Sequence, residues 1–466
     1  MCRAALQWPK GARVFSCLDD GPVTSRRAAW FRRLFALSTL ALLAVTWRLW
    51  TPQTVYPQVP LFVWAGRLPP TLEWAAIATL TAMLGFVVLA PQRRLAWKLV
   101  LLLLVVPLGG LLLVDQHRLQ PWAYEALIVA IVLSCASRQR AFVPLRLLVI
   151  SIYFYSAVSK LDATFAHTLG QQFLAALSGL FGVSIRAWPS AVRVALALCF
   201  PLVELAVAVG LCVGPLRQWA VGLAVVMHAT LIVILGPWGL NHHGGVLIWN
   251  GWFIAQALLL FAAPRPTARS ALSTSGFAGN PLPPERRLPA RVAWATVAMA
   301  VLLPLLEPLG WYDHWLAWGL YAPGNSRVAV LLDRAVVDRL PEGLKRHVTD
   351  PDRQGLWVEL KIDRWSLAAL DAPIYPQARY QLGVAEAVGR RFALGDQIRA
   401  ILYGPAARLS GRRRKDVLAG LGQIEAAANR FWLSAHPRGR FDPAPENSRI
   451  LGDPSEVDSP VNTGPS

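Results

Sequence analysis

The chain has 466 residues, of which 55% are hydrophobic and only 16% charged. That balance excludes a disordered chain, and five Cys in this length exclude a disulfide scaffold. The formal charge of +19 would suit nucleic acid, but up to Leu320 there are 25 Lys/Arg against 10 Asp/Glu, all in a hydrophobic region with short loops. This is the footprint of topology signals and anionic lipid headgroups, so the expected partner is a lipid bilayer and not nucleic acid.

Residues 1–29 read as a basic cytoplasmic segment in which the first apolar run comes too late for a cleavable signal peptide. A helix needs about 20 apolar residues to cross the hydrocarbon core. Candidate spans are 33–50, 72–90, 97–114, 120–136, 144–162, 191–213, 216–235, 246–263 and 291–309. The fourth is the weakest, because Glu125 lies inside it. Basic residues cluster on alternate connections: Arg32 and Arg33, then Arg93, Arg94 and Lys98, then Arg138, Arg140 and Arg146, then Arg217. Such clusters mark the cytoplasmic side, so the N-terminus is expected inside and the C-terminal region outside.

The segment 30–263 is thus expected to be a transmembrane helix bundle, followed by a Pro/Ser/Gly-rich cytoplasmic linker at 264–290 and a last span at 291–309. Beyond Pro323 the composition changes. Arg327–Asp333, Leu356–Asp363 and Gln397–Tyr403 read as strands, and Tyr380–Phe392 and Asp416–Phe431 as helices. A small extramembrane α+β domain is expected at 322–435, with a disordered tail at 436–466. The fold class is therefore mainly α: a polytopic bundle of about nine helices with a small C-terminal α+β domain.

Ionisable residues inside a bilayer are expensive and mark candidate sites. Lys160 ends the fifth span, Glu204 lies in the sixth and His228 in the seventh. An outer loop then carries Asn241, His242 and His243, with Asn250 in the next helix. At 1.5 Å per residue, Lys160 is roughly 22 Å and His228 roughly 18 Å from the inner ends of their helices. One outward-facing cavity is expected to gather Lys160, His228 and Asn241 to His243, with Glu204 on a deeper wall. Tyr153 and Ser156 share the helical face of Lys160 and join the cavity. The competing account has Lys160 snorkelling to the interface and pairing with Asp162. The five Cys share no metal-like spacing and read as small buried hydrophobes, and no metal site is expected. The run Arg412 to Lys415 reads as a solvated face.

The stretch Tyr153–Phe165, YFYSAVSKLDATF, resembles the membrane domain of vitamin K-dependent gamma-carboxylases and their bacterial relatives, the horizontally transferred transmembrane domain group. The resemblance rests on an aromatic pair (Tyr153, Phe154), a small residue (Ala157), then Lys160, Leu161, Asp162 and Phe165. Glu204, His228 and the Gly/Asn/His-bearing loop follow in similar order, and the wider pattern is similar to small DoxX-type membrane proteins. The resemblance extends over roughly 30–250 at fold level; the C-terminal region does not look like the carboxylases' large lumenal portion.

What the resemblance implies is a quinol-using oxidoreductase or carboxylase-like enzyme in a bacterial cytoplasmic membrane. Lys160 would be the base that deprotonates vitamin K hydroquinone or another quinol. The oxidised quinol then drives removal of a glutamyl proton, and carbon dioxide adds. Two other classes stay open: a non-enzymatic membrane scaffold or export-associated protein, and a proton-coupled transporter relaying through Glu204 and His228.

Overall fold

The computed structural model describes residues 25–89, 96–137, 140–262, 287–350 and 355–439. The basic segment up to residue 24, nearly all of the linker and the tail from 440 onward lie outside the described residues. Nine apolar helices run through the N-terminal two-thirds of the chain. They are α1 (Ser25–Val45), α2 (Pro70–Leu89), α3 (Ala96–Val114), α4 (Pro121–Cys135), α5 (Phe142–Lys160), α7 (Ser190–Cys212), α8 (Arg217–Leu235), α9 (Gly244–Gln256, continued by a π turn Ala257–Phe261) and α10 (Arg287–Leu302). A short surface helix, α6 (Leu169–Gly179), lies between α5 and α7. Seven of the apolar helices are long and apolar enough to cross a membrane, and α3 and α4 are shorter. Without water to satisfy it, backbone in hydrocarbon must bond to itself, which is why these stretches are helical.

The first helix starts earlier than its expected span and ends at Val45, so the basic segment loses Arg26 and Arg27 to α1. The reason is at the far end of α9. Carbonyls of the π turn and the residues before it accept from neighbouring helices: Leu260 from Arg146 at 2.6 Å, Leu258 and Leu259 from Arg27, and Phe261 from Gln218 at 3.1 Å. Cations and amides at a helix C-terminus satisfy its last carbonyls and its negative dipole end. The starts of α1, α5 and α8 and the end of α9 therefore meet at one end of the bundle.

The C-terminal region sits at the other end. Five strands form an antiparallel sheet in the order β2-β3-β1-β4-β5, comprising β1 (Arg327–Asp333), β2 (Val348–Thr349), β3 (Trp357–Leu360), β4 (Ile398–Tyr403) and β5 (Lys415–Ala419). In β1, Val330 pairs with Leu360 on one side and Ala400 on the other. Alternate residues Val328, Val330 and Leu332 are buried, as a half-covered sheet requires. Helices α11 (Ile362–Leu370), α12 (Ala378–Arg391) and α13 (Gly420–Ala428) pack around it.

Two expectations need correction here. Helix was expected from Asp416 to Phe431, but Lys415–Ala419 pairs with β4 as a strand, and the helix begins only at Gly420, whose φ of +80° suits glycine. Strand was expected from Leu356 to Asp363, but Ile362 already starts α11. The tail also starts later than 436: His436 bonds the Glu386 carboxylate at 2.8 Å, and Arg438 reaches Glu73 at 2.5 Å.

The sheet region is bound to the bundle by a buried polar junction. The turn Gln116–Arg118, between α3 and α4, is its hub. Gln116 donates to the Ser434 carbonyl at 2.6 Å and accepts from Arg379 at 2.8 Å. Arg379 in turn grips both carboxylate oxygens of Asp313, and the Tyr375 hydroxyl donates to the same carboxylate at 2.6 Å. The Tyr380 hydroxyl donates to His117 Nδ1 at 2.9 Å, which leaves Nε2–H to donate to the Pro373 carbonyl at 2.9 Å. One continuous set of buried apolar residues runs from the bundle into the sheet region, so the junction has no solvent seam.

Two junction groups give opposite pH slopes. Burial, with Arg118 alongside, pulls His117 from 6.5 down to about 4. Below 6.5 the unfolded chain therefore takes up a proton that the folded one refuses, and stability drains away as pH falls toward 4. Burial pushes Asp115 from 3.8 up to about 7. There the folded chain keeps a proton that the unfolded one has released, so stability falls as pH rises through that window. The slopes offset one another in the native chain. Asp115→Asn keeps an oxygen for the Val59 and His117 amides and removes one slope. Its unfolding free energy in detergent is expected to drop by about 3 kcal/mol between pH 6.5 and 4. A pH profile parallel to that of the native chain would show that His117 does not titrate in this way.

Candidate functional site

Helix α5 carries Tyr153, Ser156 and Lys160 along one buried stripe. It ends at Lys160 because Asp162 accepts from the Phe165 amide at 2.6 Å and caps a new short helix. Asp162 is thereby occupied, and Lys160 turns the other way. Its Nζ lies 2.7 Å from Glu204 Oε2, 2.6 Å from Ser156 Oγ and 3.1 Å from the Leu320 carbonyl. The three acceptors match the three ammonium protons. Lys160 is only 7% exposed, so the pair is shielded from water.

Glu204 was expected on a deeper wall, and the ion pair corrects that. By axial rise alone, Glu204 lies roughly 12 Å from the inner end of α7, well short of Lys160. Side chains, however, lean toward the N-terminus of their own helix. Since α5 and α7 are antiparallel neighbours, Lys160 leans inward and Glu204 outward, and they meet between the two levels.

A second polar chain stands beside the first. The Tyr153 hydroxyl donates to His228 Nε2 at 2.8 Å, and His228 Nδ1–H donates to Asn250 Oδ1 at 2.7 Å. Asn250 closes the chain by donating to the Val246 carbonyl one turn back, at 2.8 Å. This assigns His228 as a neutral Nδ1–H tautomer, with its ring stacked 5.0 Å from Phe253.

Both chains line one cavity of about 420 Å³. Tyr153, Ser156, Lys160, Glu204, His228 and Asn250 all face it, and the rest of its wall is overwhelmingly apolar. Its wall includes Cys199 and Val226, which are exposed on the outside of the bundle, so the cavity reaches the lipid-facing surface between α7 and α8. Cys199 had been expected to be buried. Tyr321 and the Leu320 backbone close the end nearest the sheet region.

Asn241, His242 and His243 are not among the lining residues, contrary to expectation. After α8 the chain folds back on itself: the Leu240 amide donates to Ile234 and the Asn241 amide to Gly236. Asn241 takes the left-handed conformation at φ 49°, which Asn tolerates, and it is exposed. His242 stacks on the cavity residue Tyr321 and bonds its hydroxyl at 3.2 Å. His243 caps α9 through the Gly245 amide.

Sequence reasoning missed Tyr321, Trp249 and Phe253, which lie on the cavity wall. It also treated Glu125 only as a weakness in its span. Glu125 is buried and accepts from the indoles of Trp249 at 2.7 Å and Trp252 at 3.0 Å, which ties α4 to the wall of the site. Two Trp three residues apart on one apolar helix were the available signal. Among the described residues no group of three His, Cys, Asp or Glu could hold a metal ion.

Removing one member of a buried ion pair strands the other charge. Lys160→Met and Glu204→Met are each expected to cost about 3–5 kcal/mol of stability in detergent, and the double variant clearly less than the sum. Additive losses in the double variant would show that the two groups are not coupled.

No family model, curated protein or solved structure matches this chain.

Proposed function

We propose that the chain is a multi-pass membrane enzyme of the gamma-carboxylase-like kind, in which Lys160 acts as a base on a lipid-borne quinol. The observation that carries this reading is the Lys160–Glu204 pair in an apolar cavity that reaches the lipid-facing surface. A cavity of this size, apolar along most of its wall and polar at one end, suits an apolar ring with a hydroxyl. When bound, a quinol such as vitamin K hydroquinone would supply an oxidisable, weakly acidic ring hydroxyl.

The chain's own residues account for the proton. A base must first have a free lone pair, and Lys160 Nζ holds three protons against three acceptors. Glu204 Oε2, at 2.7 Å, is the acceptor able to take one and leave a neutral pair. In a low dielectric a neutral pair avoids the desolvation cost of two buried ions. Ser156 and the Leu320 carbonyl then hold the amine in position by its remaining protons. The neutral His228, fixed by Asn250, holds the Tyr153 hydroxyl on the same wall.

A second reading has a specific observation in its favour. Because all three Nζ protons are satisfied, Lys160–Glu204 also serves as a cross-brace between α5 and α7, as a non-enzymatic scaffold would need. Lys160→Arg separates the two: it keeps the charge and the brace but cannot act as a base. With quinol oxidation as the assay on folded protein, Lys160→Arg and Lys160→Ala are both expected to fall by roughly 10²–10⁴-fold. Full activity in Lys160→Arg would leave only the brace. Mass spectrometry of lipids extracted from the purified protein identifies which quinone, if any, travels with it.

The same reading places the basic end of the bundle in the cytosol and the sheet region outside, with α3 and α4 crossing despite their length. A cysteine at the exposed Asp338 is expected to react with a membrane-impermeant maleimide in intact cells. Labelling only after lysis would invert this topology.

A further inference from the structure

The sheet region presents a feature that neither the cavity nor the junction uses. The hairpin joining β4 to β5 carries Leu409 at its tip, 97% exposed. Arg408, Arg412, Arg414 and Lys415 are exposed around it. The neighbouring acidic group, Asp416, is already bonded to Arg414 at 3.2 Å, and Arg413 is turned inward onto the Asn325 and Gly404 carbonyls. A fully exposed leucine ringed by arginines is costly in water, but it suits an interface that is apolar below and anionic above.

The hairpin's position decides which interface that is. The Arg408 carbonyl accepts from the Ala163 amide at 2.7 Å, and its side chain reaches the Val158 carbonyl in the last turn of α5. Leu409 therefore lies beside the end of a helix long and apolar enough to cross a membrane. On another flank, Trp432 is 82% exposed and lies two residues from Ser434, whose amide bonds the Leu61 carbonyl at 3.1 Å in the loop before α2. That loop bears the exposed Trp64, and Phe181 and Trp238 are exposed in the loops before α7 and after α8. These large apolar side chains are spread singly around the rim of one end of the bundle. A protein partner would need a contiguous patch, whereas a membrane plane meets a rim all the way round.

We propose that the sheet region docks on the phospholipid headgroup layer of the membrane its own helices cross, through the Leu409 hairpin and Trp432, with Arg412 and Arg414 taking lipid phosphates. The inference rests on the apolar helices being membrane spans and is independent of any chemistry at Lys160. Docking at two flanks would hold the sheet region, and with it the Leu320–Tyr321 segment over the cavity, at a fixed height above the bilayer.

The test uses the full chain in phosphatidylglycerol-containing nanodiscs, with a nitroxide on Leu409→Cys, Trp432→Cys or Asp338→Cys and the signal of the unsubstituted chain subtracted. Asp338 follows the end of β1 farthest from the bundle and serves as the aqueous reference. Labels at 409 and 432 are expected to collide more with lipid-soluble oxygen than with a water-soluble nickel complex, and the label at 338 the reverse. Nickel accessibility at 409 or 432 equal to that at 338 overturns the proposal, and so leaves these residues to a protein partner. Adding Arg412→Glu and Arg414→Glu is expected to raise nickel accessibility at 409 about twofold, as lost phosphate contacts lift the tip. An unchanged value overturns the headgroup contact.

Discussion

An ammonium group cannot stay among hydrocarbon side chains without a counter-charge and a full set of acceptors, and much of the site follows from how Lys160 meets that demand. Glu204 supplies the charge, Ser156 the first hydroxyl and Leu320 a backbone carbonyl. Each comes from a different element, so one side chain fixes α5 against α7 and draws the segment after α10 down over the cavity. The same saturation bears on chemistry. A lysine held by three acceptors is inert until one of them takes a proton, and Glu204 is the one with the capacity to do so.

Elsewhere the bundle follows the same rule with other groups. Glu125 is buried between two indole N–H groups. The carbonyls at the end of α9 are met by arginines from α1 and α5. Arg118 is fully buried, and its counter-charge is Glu73 at 2.6 Å, which Arg438 approaches from the other side at 2.5 Å. Polar contacts of this kind are few in an apolar bundle. Each therefore specifies a helix pairing more sharply than apolar packing does, because the alternative is an unsatisfied group in hydrocarbon.

The C-terminal region extends this logic outside the apolar layer. Gln116, Asp313, Tyr375 and Arg379 form a closed set of donors and acceptors between bundle and sheet. The boundary is buried on both sides and continuous with the core. The sheet region is accordingly part of one body with the bundle, and the backbone that closes the cavity is held from above by the sheet and from below by Lys160.

The sequence by itself determined the parts that depend on local composition. Apolar runs of membrane length, the basic bias of alternate connections and the alternation in Arg327–Asp333 are properties of neighbouring residues, and the helices and β1 lie close to where those patterns put them. Lys160, Glu204 and His228 were legible as candidates because ionisable residues within apolar runs are rare. Partner choice was decided only by the tertiary structure. Asp162 is two residues from Lys160 yet is taken by a helix cap, while Glu204, 44 positions away, reaches it because antiparallel helices lean their side chains toward each other. Asn241 had the right depth but was carried off by a turn, and Lys415–Ala419 became a strand because β4 lay alongside. Depth along a helix can be counted from sequence; azimuth, tilt and pairing arise only when the elements pack.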